Sequence, residues 1–184
     1  KIVIGFDFCF GKNRKYCIDE LKKIFDGEVQ VISEIKFDEY PIHSRHIREF
    51  IKDGNIKKAN KFLGKEYKIY GTAIKGQGLG KSDFVPTINL RIDDFLLPKD
   101  GVYISKTTID SIEYNSVSFI GNRKTTDDTF AIETHILDKS IDFNNLNISI
   151  KFIERIRDNK KFNDFIELKN EILNDIDTAK KYFY

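Results

Sequence analysis

The sequence has no methionine, only two cysteines, no long apolar run and almost no net charge. Each scarcity excludes something. Cys9 and Cys17 alone supply neither a disulfide framework nor a metal-ligand spacing. Both are expected as packing or surface residues, in a reducing, cytoplasmic setting. Without an apolar stretch of about 20 residues, no helix is expected to span a membrane, and no signal-peptide pattern opens the sequence. Lys and Arg total 31 against 29 Asp and Glu, a balance that calls for neither nucleic acid nor an anionic membrane as partner. The missing methionine, with a start at Lys1 inside an apolar strand pattern, reads as part of a longer protein. No internal repeat or low-complexity segment is present.

What is there divides in two. Residues 1–65 alternate strand and helix: Ile2 to Ile4, a loop to Arg14, a helix near 16–26 with Leu21, Ile24 and Phe25 at helical spacing, then a strand near 29–35. Ser44 and Asn55 can cap two further helices, stopped by Gly54 and Gly64. This rhythm predicts part of an α/β nucleotide-binding domain. Over residues 66–184 short alternating segments take over, at 67–74, 102–109, 114–120, 130–137 and 147–153, with turns at Asp110-Ser111 and Asp127-Asp128. Such spacing predicts a small antiparallel barrel. A closing helix follows, with Asp164 and Glu167 at its start and Phe165, Leu168, Ile172, Ile176 and Ala179 as its apolar stripe.

The densest chemical signal is Gly71-Thr-Ala-Ile-Lys-Gly76-Gln-Gly78-Leu-Gly80-Lys81-Ser82, followed by Pro86-Thr87-Ile88-Asn89. Glycines this close let backbone N–H groups cradle phosphate, with lysine as a point charge. A Walker loop is excluded, because Lys75 stands where that pattern needs glycine and Pro86 opens a strand rather than a helix. Thr87 and Asn89, two apart on a strand, face the same way and offer hard oxygen donors to a nucleotide-bound Mg²⁺. The plainer role for this pair is to cap a turn; the glycine loop beside it favours the metal. Glu133 shares a strand face with His135 and can accept a hydroxyl proton during phosphoryl transfer. On alternation alone the favoured reading is an exposed barrel face, which normally carries such charges. His135 is expected to be structural or to support a neighbour.

In their order, Gly71 to Asn89, Ile120-Gly-Asn-Arg123, Glu133-Thr-His135 and Ile156 to Phe162 resemble riboflavin kinase. Residues 1–64, above all Gly5-Phe-Asp-Phe-Cys-Phe-Gly11-Lys-Asn-Arg14, resemble the latter half of the FMN adenylyltransferase module of bacterial bifunctional FAD synthetases. The resemblance implies a six-stranded antiparallel Greek-key barrel with a C-terminal helix, preceded by part of a Rossmann-like nucleotidyltransferase domain. It implies transfer of the ATP γ-phosphate to riboflavin, giving FMN and ADP. By the same resemblance Gly76, Gly78, Gly80 and Lys81 hold ATP phosphates, Thr87 and Asn89 serve Mg²⁺, and Glu133 is the general base. Arg123, Arg157 and Phe162 lie on the flavin side, and Asp7, Arg14, Ser44 and Arg48 belong to the adenylyltransferase remnant.

The sequence departs from the pattern at Asp83-Phe84-Val85, where Leu-Gly-Phe is usual, at Ile88 for Ala, at Phe119 for Asn and at Lys124 for Pro. The adenylyltransferase motif Ile-Ser-Ser-Thr-x-Ile-Arg appears as Ile42-His43-Ser44-Arg45-His46-Ile47-Arg48, and the His-x-Gly-His signature is absent, so this chain alone is not expected to make FAD. A flavin- or nucleotide-binding regulatory module without catalysis is the alternative reading.

Overall fold

A computed structural model describes residues 1–74, 85–139 and 147–184. Contacts divide the chain into two compact units, Lys1–His43 and Ser44–Tyr184. In the first, β1 (Ile2–Gly5) and β2 (Val29–Ile32) pair in parallel, Ile2 opposite Val29 and Gly5 opposite Ile32. Parallel neighbours need a crossover, and α1 (Ile18–Ile24) supplies it. Glu20 accepts a bond from the Cys17 backbone N–H at 3.0 Å and so satisfies an orphan donor at the helix start. Short strands β3 (Lys36–Phe37) and β4 (Tyr40–Pro41) form a hairpin.

One expectation is overturned in this unit, because Cys9 and Cys17 form a disulfide. Phe10 and Tyr16 exchange both backbone hydrogen bonds, at 2.6 and 3.1 Å. The flanking pair therefore falls in the closer, non-hydrogen-bonded class of antiparallel site, with Cα atoms 4.0 Å apart. Cysteine spacing does not reveal this; the turn begun by Gly11 at φ 77° creates it. Cysteine usage therefore gives no support to a reducing compartment. No helix of the described residues is long and apolar enough to cross a membrane.

The second unit begins with α2 (Ser44–Lys52) and α3 (Ile56–Leu63). Asn55 caps α3 by accepting from the Lys58 N–H, and Gly64 ends it in the left-handed region, where glycine is unstrained. Both helices cluster with the barrel, whereas the sequence rhythm divides at 65/66. Two observations show why α3 belongs there. Ile56 lies in the barrel's main core cluster, and Asn60 bridges two strands, donating to the Phe152 carbonyl at 2.8 Å and accepting from the Tyr67 N–H at 2.7 Å.

The strands are β5 (Tyr67–Ile74), β6 (Ile88–Arg91), β7 (Gly101–Ile109), β8 (Ile112–Asn122), β9 (Phe130–Ile136) and β10 (Asn147–Asp158). They close into an antiparallel barrel in the order β10-β5-β6-β9-β8-β7. β7, β8 and β9 follow one another as neighbours and β10 returns beside β7, which is Greek-key connectivity. Closure leaves the described strands of the barrel without a bare edge. Alternate side chains fill the interior, among them Ile69, Ile88, Ile120, Ile132, Ile150 and a T-shaped Tyr103–Phe152 pair at 5.3 Å.

Five interior positions are hydroxyls rather than hydrocarbon. Ser105, Thr107, Ser116, Ser118 and Thr134 are fully buried and bond in a closed ring, each link between 2.7 and 3.0 Å. Each hydroxyl can donate once and accept once around such a ring, so none is left unsatisfied.

Outside the barrel, α4 (Phe165–Phe183) lays Ile176, Ala179 and Phe183 on a second apolar cluster that includes Val102, Ile104, Val117 and Phe119. Asp164 caps it by accepting from the Glu167 N–H at 2.8 Å. The expected stripe is corrected at both ends of its logic. Phe165 is exposed, and the buried face carries a charge, Asp175.

Candidate active site

The site lies on the outer face of the barrel where β6, β9 and β8 run side by side. Register places Asn89 of β6 directly opposite Glu133 of β9, and Glu133 opposite Phe119 of β8. Cross-strand partners point to the same side of a sheet, so the amide, the carboxylate and the ring form a row. Ile74, the last described residue of β5, is the next partner of Asn89. The chain therefore enters 75–84 one strand from Asn89 and two from Glu133. Gly76, Gly78, Gly80 and Lys81 lie outside the described residues.

Thr87 stands just before β6 and donates its hydroxyl to Glu133 Oε2 at 3.4 Å. His135 fixes the approach to that threonine, its Nδ1 lying 2.8 Å from the Pro86 carbonyl oxygen. A carbonyl can only accept, so Nδ1 carries the proton. Burial pushes the His135 pKa down, which favours the neutral ring, and the Pro86 carbonyl selects that tautomer. His135 is therefore a positioning group for the Pro86-Thr87 turn.

Glu133 is 18% exposed at its side chain, and Arg123 Nη1 lies 3.5 Å from its Oε1. Burial raises the carboxyl above its usual range, while Arg123 and then the Thr87 hydroxyl oppose that shift. Arg123 comes from the β8–β9 hairpin, closed by the Arg123 N–H to the Thr129 carbonyl at 2.9 Å. The same arginine donates Nη2 to Thr129 Oγ1 at 2.8 Å and sets Nε 3.3 Å from Asp127. Thr129 Oγ1 in turn donates to Asp127 at 2.8 Å. Asp127 and Thr129 are site residues that the sequence did not single out; its only signal was an Asp-Asp turn.

Thr87, Asn89 and Glu133 thus converge, and their hydroxyl, amide and carboxylate oxygens are the hard donors that suit Mg²⁺. Arg123 joins them. The segment carrying Phe162 reaches the same hairpin, because its N–H donates to Thr125 Oγ1 at 3.1 Å. Asn159 adds a bond from Nδ2 to the Asn122 carbonyl at 2.8 Å. Phe162 is buried, with the Arg157 guanidinium 5.7 Å and the Lys160 ammonium 5.0 Å from its ring centre.

Arg157 is committed elsewhere. It forks onto Asp175 of α4, Nε to Oδ1 at 2.9 Å and Nη2 to Oδ2 at 2.7 Å, with Glu171 at 3.5 Å. In the first unit the Asp7 carbonyl accepts from Arg14 Nη2 at 3.0 Å. Ser44 and Arg48 lie in the first half of α2.

A family model described as riboflavin kinase matches residues 63–183. The bifunctional riboflavin kinase/FMN adenylyltransferase of Haemophilus influenzae is 33% identical over 98% of the chain and 60% of its own length. That of Bacillus subtilis is 30% identical over the same shares. A solved Streptococcus pneumoniae chain, described as a macrolide-efflux protein, superposes with a TM-score of 0.85 at 31% identity, covering 97% of this chain and 60% of that one. The chain therefore spans about 60% of the length of the curated relatives it matches. With the family match running from the end of α3 to the end of α4, the chain belongs to the riboflavin kinase family.

Proposed function

We propose that this chain transfers the γ-phosphoryl group of ATP to the terminal ribityl hydroxyl of riboflavin, giving FMN and ADP. The observation that carries this reading is the row on the outer barrel face. Asn89 stands in register with Glu133, and Thr87 and Arg123 both reach the Glu133 carboxylate. Phosphoryl transfer asks a protein for positioning and charge neutralisation more than for covalent chemistry.

Glu133 accepts the proton of the attacking hydroxyl. Its partial burial excludes competing water, and its two neighbours fix the direction of its oxygens. Thr87 and Asn89, with the nucleotide's own phosphates, would hold Mg²⁺, which neutralises phosphate charge when bound. His135 keeps the strand start carrying Thr87 in place through Pro86. The glycine run Gly76 to Gly80 and Lys81 lead from this face in sequence and are assigned to the ATP phosphates. Phe162 is assigned to the flavin side, with Arg123 at its ribityl end beside the Glu133 carboxylate, and Arg157 serves there through the packing of Phe162.

We further propose that residues 1–65 are, by their sequence, the C-terminal part of an FMN adenylyltransferase module whose last two helices cluster with the barrel, and 66–184 the kinase domain. The whole protein would then carry FMN on to FAD, in the cytoplasm where ATP is held. The parallel β1–α1–β2 unit suits that assignment. Chromatography of flavins after incubation with riboflavin, ATP and Mg²⁺ tests the reading. FMN without FAD is the expected product of this chain, and riboflavin left untouched by folded protein would refute the kinase.

A further inference from the structure

We infer that Arg123 is a second catalytic residue, whose guanidinium binds the transferring phosphoryl group, and that Asp127 positions it. The inference rests on the phosphoryl-transfer reading of the Glu133 site and assigns that site's charge stabiliser.

Three features of the guanidinium support it. Nη2 is held by the Thr129 hydroxyl at 2.8 Å, and Nε lies against Asp127 at 3.3 Å. Asp127 is itself fixed by the Thr129 hydroxyl and N–H, at 2.8 and 3.2 Å. The hairpin thus holds the fork through Nη2, with Nε in ion-pair range of Asp127 but not hydrogen-bonded to it, and turns Nη1 towards Glu133. The Nη1–Oε1 separation of 3.5 Å is longer than the roughly 2.7–2.9 Å of a charge-assisted hydrogen bond. Nη1 therefore faces the carboxylate without being consumed by it.

Reaction geometry supplies the ligand. A hydroxyl bonded to Glu133 sits about 2.6–3.2 Å from its oxygen, and the phosphorus it attacks lies about 3–3.5 Å further on. Nη1, 3.5 Å from Oε1, is within reach of that volume. In the step, the hydroxyl oxygen forms a bond to the γ-phosphorus, the bond to the β–γ bridging oxygen breaks and ADP departs. The hydroxyl proton goes to Glu133. Arg123 loses no proton; it donates hydrogen bonds to equatorial oxygens whose charge is redistributed as the phosphoryl group crosses.

Arg123→Ala, Arg123→Lys and Asp127→Asn, in the full chain, test this by steady-state kinetics with riboflavin and MgATP. Arginines in this role contribute about 10³-fold or more, so Arg123→Ala should lose kcat on that scale while both KM values stay within about threefold. Added guanidinium should restore at least about tenfold of the lost kcat, which a misfolded or merely destabilised variant cannot show. Arg123→Lys keeps the charge but not the fork and should remain well below wild type. Asp127→Asn should lower kcat by itself yet add nothing in the Arg123→Ala background.

Active wild type beside an Arg123→Ala variant with kcat within threefold of it would overturn this inference alone. So would a kcat loss that guanidinium leaves unchanged. An inactive wild type would overturn the phosphoryl-transfer reading and the inference with it.

Discussion

Removing the charge of Asp175 should separate packing from flavin binding at the junction of β10 and α4. The Asp175 side chain is 6% exposed and takes two forked bonds from Arg157. Burial pushes its pKa up even with the guanidinium opposite. Asp175→Asn preserves shape and one acceptor oxygen but removes the facing charge, so that a largely buried arginine keeps Glu171 at 3.5 Å and the Asp158 carbonyl at 3.1 Å. Breaking a buried pair on one side costs about 3–5 kcal/mol, and the surviving Glu171 contact places the expected loss near 3 kcal/mol. For a chain of this size each kcal/mol moves Tm by about 2–4 °C, so the melting midpoint should fall by roughly 6–12 °C. Replacing both partners with apolar residues, Arg157→Met with Asp175→Leu, should recover most of it, because neither member is then an unpaired charge. Thermal unfolding followed by circular dichroism reads the shift, and the KM for riboflavin reads the site. An Asp175→Asn variant that melts within about 2 °C of wild type while its riboflavin KM rises tenfold would refute the packing role and return Arg157 to direct flavin contact.

Within the hydroxyl ring, Thr134→Val leaves Thr107 and Ser118 each short of a partner and should cost about 2–3 kcal/mol, whereas Thr134→Ser should cost less than about 1 kcal/mol; equal stabilities in urea titration would dismiss the ring as a stabilising element. Asp158, between Arg155 at 2.7 Å and Lys99 at 3.1 Å, has its pKa lowered from 3.8 to about 2, chiefly by the Arg155 bond. A depressed carboxyl stabilises the fold above its unfolded pKa and loses that contribution as pH falls through the folded one. Stability should therefore decline between about pH 3.8 and pH 2, and Asp158→Asn should flatten that decline in acid titration; an unchanged slope would remove Asp158 as its source. Asn89→Ala should raise the Mg²⁺ and ATP concentrations needed for half-maximal rate while sparing riboflavin affinity, and an unaltered Mg²⁺ dependence would take Asn89 out of the metal's coordination.

Much of the barrel was legible because period-two alternation survives burial on one face. The segment 67–74 coincides with β5, and the 102–109 and 130–137 segments match β7 and β9 to within a residue. Alternation also put Glu133 and His135 together, and strand spacing put Thr87 and Asn89 on one side. Register was not legible, since no local pattern says that Asn89 faces Glu133 across two strands joined by a long connection. The ring of serines and threonines was hidden for a related reason: small hydroxyl residues read as surface until closure brings five of them together. Arg157 and Asp175 are 18 residues apart, and a charged residue on an apolar helix stripe gives no sign of its partner. The Cys9–Cys17 pair depended on a turn of left-handed residues, Asn13 and Arg14 at φ 58° and 55°, whose side chains do not announce that conformation. Asp127 and Thr129 escaped notice because a turn-forming aspartate looks the same whether or not it also steers an arginine.

The most direct test is a single-turnover comparison of wild type with Glu133→Gln, using ATP labelled at the γ-phosphate and excess riboflavin with Mg²⁺. Label should pass to the flavin in the wild type, and the rate should fall by about 10²–10⁴-fold in the variant, with ATP and riboflavin binding retained by equilibrium titration. Equal transfer rates in the two proteins would contradict the claim that the outer-face carboxylate carries the reaction.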